Sequence, residues 1–351
     1  MPPASKPFPA DVTVAIVAHN ALAYLPASLA SVAAAGCPPE QIVVVDVAST
    51  DGLVDWLARE WPGVAPVRLE VNDGPSPGRN AGIRHAQTKY VLLMDADVRL
   101  LPDTLDILHA AMRRDPTIGI GSPVVVHLDR PDVIQYACTG LHFICEAVNP
   151  YLDRPLAERG DDARDIGAAS TCALLLDREL AIRVGLFDER YFIGKEDGDF
   201  THRVKLAGYQ IHEPPQARVL HQSKPRGTWL FYYQIRNRWH FVLKNYEWQT
   251  IFWLLPAFAV HESLQFVFLI AKGHGVTYFK ALGGLIALLP ALGRDRAVTR
   301  SIRVRHDKAV LRDEPIVVRA DLAGGLVQRL LGVYQRALSA YWRLLARTVL
   351  P

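Results

Sequence analysis

The stretch KYVLLMDADVRL, residues 89–100, decides the fold of this chain. Val91 to Met94 form an apolar run without polar alternation, which is typical of a strand covered on both faces. Asp95 and Asp97 follow directly and mark the end of that strand. Two carboxylates one residue apart repel each other unless a cation lies near both. The pair is therefore either two solvated side chains or part of a cation site.

Similar apolar runs lie on the N-terminal side of this stretch, and helix signals separate them. The runs that predict strands are residues 12–18, 42–48 and 64–71. The segments that predict helices are residues 24–35, 49–60 and 79–87. Strands without alternation, spaced by helices, indicate an α/β fold of the Rossmann-like kind, with a mainly parallel sheet flanked by helices.

Two polar segments are predicted to connect these elements. NDGPSPG (72–78) is rich in turn residues, and residues 153–165 are predicted to form a surface loop. The four cysteines form no CxxC pair, and their irregular spacing argues against zinc or a disulfide framework. Reduced thiols fit a cytoplasmic environment, and residues 1–13 lack the apolar run of a secretory signal.

The charge divides the chain into two parts. Residues 1–222 hold 20 basic against 29 acidic side chains, whereas residues 223–351 hold 19 against 7. We therefore predict an acidic body over 1–222 and a basic, aromatic and apolar helical region over 223–351. A basic region of this kind suits anionic lipid headgroups or nucleic acid, and the high apolar content together with the lack of a nucleic-acid-binding motif favours lipid.

Three segments of the C-terminal region are predicted to be apolar or amphipathic helices. Residues 251–271 are long enough to span a bilayer, but they contain Pro256, His261 and Glu262. Residues 276–293 are similar, and residues 326–348 have an amphipathic pattern. Helices in the membrane plane, spanning helices and helices packed on the body remain as alternatives.

Six blocks of the sequence together resemble the family 2 glycosyltransferases of the GT-A fold. They are VTVAIVAHN (12–20), VVVDVASTDG (43–52), NDGPSPGRNAGIRHA (72–86), VLLMDADVRLLPD (91–103), VGLFDERYFIGKEDGDFTHRVKLAGYQI (184–211) and VLHQS (219–223). The resemblance covers about residues 11–245 and keeps the order of the family's motifs. A lone DxD is common by chance, but six consecutive blocks are specific.

The resemblance implies a nucleotide-sugar site at the carboxyl ends of the strands, where open α/β sheets bind ligands. Asp46 would accept a hydrogen bond from the nucleotide base, with a helix cap as its alternative role. Arg79 and Asn80 would approach the base and the diphosphate. Asp97 would coordinate Mn²⁺ or Mg²⁺, and Asp95 would reach the ribose or the metal.

The other blocks imply the remaining roles. His221 would complete the metal site, and Asp197 would be the general base that takes the proton of the acceptor hydroxyl. Glu196 would place the acceptor or the base, although an acidic helix N-terminus explains it too. Gly198 stands where the family usually has a hydrophobic residue.

The resemblance thus implies an inverting glycosyltransferase that uses Mn²⁺ or Mg²⁺ and a UDP- or dTDP-linked sugar. Its acceptor would be a hydroxyl of a glycolipid or polysaccharide at the cytoplasmic face of the cell membrane. Arg236 and Arg238 would contact a phosphate or flank the membrane. Two alternatives remain: a polyprenyl-phosphate sugar synthase, and a catalytically degenerate, membrane-bound carbohydrate-binding scaffold.

Overall fold

The structure, a computed structural model, describes residues 7–222, 227–316 and 325–350. Its strands are β1 Val12–Ala18, β2 Ile42–Val47, β3 Ala65–Leu69, β4 Tyr90–Asp95, β5 Val98–Leu100, β6 Ile118–Gly121, β7 Val124–His127, β8 Ile134–Tyr136, β9 Gly140–Leu141, β10 Ala147–Val148, β11 Arg164–Asp165, β12 Ala173–Asp177, β13 Gln210–Glu213 and β14 Arg218–His221. Its helices are α1 Leu25–Ala34, α2 Leu53–Glu60, α3 Pro75–His85, α4 Thr104–Arg114, α5 Arg178–Arg183, α6 Glu196–Leu206, α7 Leu230–Asn245, α8 Trp248–Ala271, α9 Gly275–Ile286, α10 Leu292–Ile302, α11 Asp307–Val310 and α12 Gly325–Thr348.

The main sheet has eight strands in the order β11-β13-β6-β12-β4-β1-β2-β3. The four strands β3, β2, β1 and β4 are mutually parallel, and β12 joins β4 in the antiparallel direction. Apolar residues cover both faces of this sheet and pack against helices on each side. The predicted α/β architecture with a mainly parallel sheet is confirmed.

A smaller sheet of four strands, in the order β5-β14-β7-β8, begins where the opening stretch leaves the main sheet. The chain turns at Ala96 and Asp97 and enters β5, which pairs with β14 in the antiparallel direction. This pairing brings the end of β14 close to the carboxyl end of β4, although more than 120 residues separate the two strands in sequence.

Two predicted connections contain regular structure. α3 begins at Pro75, inside the predicted turn, because proline has a helical φ and the first turn of a helix does not need its missing N–H. The predicted loop at 153–165 contains a short 3₁₀ helix, Leu156–Arg159, and the strand β11. Arg159 is buried there and forms an ion pair of 2.9 Å with Glu213, which fixes the segment to β13.

The predicted C-terminal helices form and pack on the body. α7, α8 and α12 bury apolar residues against residues 141–145. By length and composition alone, Trp248–Ala271 and Gly275–Ile302 could each cross a membrane, and most of their residues are not buried in the protein. The division at residue 222 stays a prediction.

Candidate active site

His221 and Asp97 lie together at the junction of the two sheets. His221 is opposite Val98 in the β14–β5 ladder, and this register places its imidazole beside the preceding turn. His221 Nε2 is 3.4 Å from Asp97 Oδ1, and both side chains are mostly buried. The structure thus brings together two of the three residues predicted to bind metal.

A residue that the sequence did not single out orients the imidazole. The Nδ1–H of His221 donates a 2.8 Å hydrogen bond to Oε1 of Gln135, a buried residue of β8. With Nδ1 engaged by Gln135, Nε2 is the ring nitrogen that faces the Asp97 carboxylate. An imidazole nitrogen and a carboxylate that face the same space are ligands that suit a divalent cation.

Asp95 has a different partner. Its two carboxylate oxygens accept hydrogen bonds of 3.1 and 3.3 Å from Nη2 of Arg79. Among residues 7–222, 227–316 and 325–350, no group of three or more His, Cys, Asp or Glu side chains is close enough to hold a metal ion. A metal would therefore take Asp97 and His221 from the protein and its other ligands from phosphate and water, as Mg²⁺ commonly does.

Arg79 joins the two acidic motifs of the site. Its buried guanidinium contacts Asp95, and Nη1 is 3.6 Å from Oε1 of Glu196. Burial disfavours its charge, but Asp95, Glu196 and Asp197 outweigh this effect, so the pKa of Arg79 is raised. Within the described residues, its Nε and Nη1 are buried without a hydrogen-bond partner. Arg79 is thus a fixed cation held between the predicted donor-binding and catalytic carboxylates.

Asp197 and Glu196 begin α6. The preceding residue, Lys195, has a left-handed backbone with φ 72°, which turns the chain into the helix. Glu196 is buried toward Arg79, whereas Asp197 is partly exposed and its Oδ1 accepts a 2.7 Å hydrogen bond from the amide of Gly198. Asp197 is thus accessible to solvent in part, and its role as the base stays a prediction.

Asp46 and Asn80 have structural contacts that compete with their predicted roles. The buried Asp46 carboxylate accepts from the Ser49 amide and from Arg68, which is its register partner on β3. Both polar atoms of the Asn80 side chain bind the segment after α5. Its Oδ1 accepts a hydrogen bond from the Phe187 amide, and its Nδ2 donates to Phe187 O and Glu189 Oε1. The structure supports a framework role for Asn80, and the nucleotide contact of Asp46 stays a prediction.

Helix α7 holds the backbone that precedes Glu196 and Asp197, the predicted catalytic residues. Nδ2 of Asn237 donates to the carbonyl oxygens of Ile193 at 3.0 Å and Gly194 at 2.6 Å. Nη2 of Arg236 donates to the carbonyl oxygen of Arg190 at 2.8 Å.

Arg238 does not face a phosphate or solvent. It is buried and pairs with Glu146 and Glu262, and Glu146 in turn pairs with Lys195. The expectation that Arg238 contacts a phosphate or flanks the membrane surface is therefore wrong.

Several known proteins are similar to this chain in sequence. Residues 13–175 match the family model described as Glycosyl transferase family 2. An N-acetylglucosaminyl-diphospho-decaprenol L-rhamnosyltransferase of Mycobacterium tuberculosis is 28% identical over 234 residues, which are 60% of this chain and 75% of that protein. Succinoglycan biosynthesis protein ExoO of Rhizobium meliloti is 32% identical over 130 residues, 36% of this chain and 37% of that protein.

Solved structures share the fold. S. aureus TarS 1-349 superposes with a TM-score of 0.54 at 18% identity, covering 96% of this chain and 90% of that one. GalNAc-T7, solved with UDP, GalNAc and Mn²⁺, has a TM-score of 0.55 at 19% identity. That match covers 68% of this chain and 48% of the GalNAc-T7 chain, so this protein spans about half of its length. The fold is thus that of the GT-A glycosyltransferases. The match to glycosyl transferase family 2 spans 163 of the 351 residues, slightly less than half of the chain.

Proposed function

We propose that this protein is an inverting, metal-assisted glycosyltransferase. It transfers a sugar from a nucleoside diphosphate, UDP or dTDP, to a hydroxyl group of a lipid-linked or polysaccharide acceptor. The observation that carries the proposal is the position of Arg79, which joins Asp95 of the DxD motif to Glu196 beside Asp197. Donor and acceptor groups must meet at such a junction for one displacement to occur.

The chemistry follows from the partly exposed side chain of Asp197. Its carboxylate takes the proton of the acceptor hydroxyl while that oxygen attacks the anomeric carbon. The new glycosidic bond forms as the bond from the anomeric carbon to the phosphate oxygen breaks, and the nucleoside diphosphate leaves with the electron pair. A single displacement inverts the anomeric configuration.

The leaving diphosphate needs positive charge. Asp97 and His221 would hold Mn²⁺ or Mg²⁺, which stabilises the negative charge of the leaving group as a Lewis acid. The Mn²⁺ in the GalNAc-T7 structure supports a divalent cation. Arg79 keeps the Asp95 carboxylate in place at the same edge of the sheet.

The acceptor and the location are inferred from the relative and from the C-terminal helices. The mycobacterial relative is named for transfer of L-rhamnose to a sugar on decaprenyl diphosphate. A lipid-linked acceptor lies at a membrane, and the exposed apolar helices α8 and α9 give this chain a surface that suits one. We place residues 223–351 at the cytoplasmic face of the cell membrane.

A ligand screen tests the proposal. Thermal unfolding is followed with nucleoside diphosphates and nucleotide-sugars, each with Mn²⁺ and with a chelator, because a ligand of the folded state raises its melting temperature by mass action. We expect one base to stabilise the wild type with Mn²⁺ and the stabilisation to fall sharply with chelator or in Asp97→Asn. An Asp55→Asn variant, which removes an exposed acid from α2, serves as the matched control. Failure of every nucleotide to stabilise the protein would refute the donor site.

A second assay separates the alternatives. In Asp197→Asn, transfer to an acceptor hydroxyl should fall by about 10²–10⁴-fold, the usual contribution of a general base. A polyprenyl-phosphate synthase needs no base because its acceptor is already an anion, so full activity of Asp197→Asn on a lipid phosphate would favour that function. Nucleotide binding without any transfer or hydrolysis would favour the scaffold.

A further inference from the structure

Helix α8 turns three polar side chains, His261, Glu262 and Gln265, toward the body of the protein. The Nη2 atom of Arg238 donates to Gln265 Oε1 at 2.6 Å and to Glu262, and Nη1 lies 2.7 Å from His261 Nε2. Arg238 is only 1% exposed. The helix therefore cannot leave the body to cross a bilayer without leaving a buried guanidinium short of partners, which is costly.

The opposite face of α8 is apolar and exposed. At 100° per residue, four apolar residues lie more than about 120° around the helix axis from the side that contacts Arg238. They are 51–63% exposed and are Phe252, Val260, Val267 and Ile270. Trp248 and Leu255, which are 58% and 48% exposed, lie between the two sides. α9 extends this surface with Val276, Phe279 and Ile286. The polar side of α8 is bound to the body of the protein, and its other side exposes a large apolar area. A helix of this kind is suited to lie in the plane of a membrane interface.

A basic cavity opens at the N-terminal edge of this apolar face. It has a volume of about 490 Å³ and lies between the end of α7, the start of α8 and α10. The guanidinium of Arg296 stacks 4.0 Å from the centre of the Trp248 ring. Its Nη atoms donate to the backbone carbonyl oxygens of Leu243 and Tyr246.

The charges of this cavity are unbalanced. Lys244 pairs with Asp188 and Asp199, and Glu247 pairs with Arg303 and His306. Among the described residues, neither Arg296 nor the exposed Arg300 has a salt bridge to a carboxylate. The acid of α10, Asp295, is engaged by Arg190 instead. Burial and the nearby Arg303 lower the pKa of Arg296, which agrees with a site short of negative charge.

We propose that α8 lies flat on a lipid surface and that the cavity beside Trp248 binds the phosphate of an anionic lipid headgroup. This inference rests on the membrane association proposed above. Arg296 and Arg300 supply guanidinium donors for the phosphate oxygens, and Trp248 lies at the level where aromatic rings meet the headgroups. The position of the cavity at the rim of the apolar face selects a lipid as the source of the phosphate, because the acyl chains then lie against Phe252 and Leu255.

Vesicle flotation of the full-length protein tests this site. The probes are vesicles of phosphatidylcholine alone and of phosphatidylcholine with phosphatidylglycerol. We expect the wild type to bind the anionic vesicles more tightly than the neutral ones. In Arg296→Gln/Arg300→Gln the affinity for anionic vesicles should fall by about 30-fold, because each basic residue at such a surface contributes about fivefold to the affinity. Arg300→Gln alone should lose about fivefold, and it leaves the backbone contacts of Arg296 intact. Arg113→Gln/Arg114→Gln on α4 removes the same charge from an exposed site and should bind as the wild type does.

Four results would overturn the inference. The first is equal binding of the wild type to both vesicles, and the second is an anionic preference that survives in folded Arg300→Gln and in the double variant. The third is an equal loss of binding in the α4 control. The fourth is stabilisation by inorganic phosphate alone that depends on Arg300, which would indicate a free-phosphate site. Binding to neither vesicle would remove the membrane association as well. Nucleotide stabilisation measured in parallel stays unchanged in all of these cases, so failure of the lipid site is distinguishable from failure of the donor site.

Discussion

The substitution Asp199→Asn tests how helix α6 is fixed to the body of the protein. Asp199 belongs to the acidic first turn of α6, and a favourable interaction with the helix dipole would explain it from sequence alone. The structure shows a fully buried carboxylate that accepts hydrogen bonds from Arg203 at 2.7 and 3.0 Å, from Lys244 at 3.0 Å and from Asn245 at 2.8 Å. Asp199 thus anchors α6 to α7 across the core.

The expected cost follows from these contacts. Removing one partner of a buried ion pair costs about 3–5 kcal/mol. Lys244 keeps Asp188, and Arg203 keeps the carbonyl oxygens of Val184 and Leu186, so we expect the lower end, about 3 kcal/mol. With an unfolding entropy of about 2.1 cal/mol/K per residue, this lowers the melting temperature by roughly 4 °C. Denaturant titration measures the same free energy directly.

Acid provides a second measurement. Burial alone would raise the pKa of Asp199, but Arg203 and Lys244 outweigh it and lower the pKa to about 2. A carboxyl whose pKa is lower in the folded state stabilises the protein above the unfolded value near 4, and this contribution is lost as pH falls toward 2. The difference between wild type and Asp199→Asn should therefore shrink between pH 4 and pH 2.

Asp55→Asn is the matched control, because Asp55 is an exposed acid in the first turn of α2. It should cost less than about 1 kcal/mol, the usual size of a helix-dipole interaction at the surface. Equal losses in the two variants would show that Asp199 acts only through the dipole, and the buried anchor would then be refuted.

Three further substitutions have clear expected outcomes. Gly74→Ala should lower the free energy of unfolding by about 1–3 kcal/mol and weaken nucleotide binding, because φ is 93° there and a Cβ would lie 2.1 Å from the carbonyl oxygen of Phe192. An unchanged melting temperature would contradict this. Gly198→Ala should instead raise stability by about 0.5–1 kcal/mol in denaturant titration and keep transferase activity, because no atom lies within 4 Å of the new Cβ; a loss of stability would count against a regular first turn of α6. His202→Phe should reduce the loss of stability in acid. Burial, helped by Arg303, lowers the pKa of His202 to about 3, so only the unfolded state takes up a proton as pH falls below about 6.5. The free energy of unfolding of the wild type then falls by up to about 1.4 kcal/mol per pH unit. Titrations at pH 7 and pH 5 check the last point, and equal slopes for the two proteins would refute it.

The sequence predicted the elements whose signal is local. The strands β1, β2 and β4 follow from uninterrupted apolar runs, and the acidic residues at the ends of β2 and β4 follow from the same pattern. The start of α3 was misplaced because the prolines of PSPG suit a turn and a first helical turn equally well. Local pattern is thus sufficient for the type of an element and weak for its boundary.

The contacts that form the candidate site could not be predicted from local sequence patterns. Gln135 lies 86 positions from the histidine it orients, and Asn80 lies 107 positions from the backbone it holds. Neither residue type has a spacing that distinguishes it from a surface amide. The pairing of Arg68 with Asp46 depends on the register of β2 and β3, which a single sequence of two apolar strands does not specify.

The role of α7 changes where the catalytic unit of the proposed enzyme ends. The charge boundary at residue 222 separates the acidic body from the basic region, yet Asn237 on the basic side supplies the donors for the carbonyl oxygens of Ile193 and Gly194. Those carbonyls precede Lys195, whose left-handed backbone starts α6 and aims Asp197. The same helix turns Arg238 toward the inner face of α8. One helix therefore contacts both the backbone that presents the proposed base and the helix proposed to rest on lipid, and a fragment that ends at residue 222 would lose the support of its own catalytic loop.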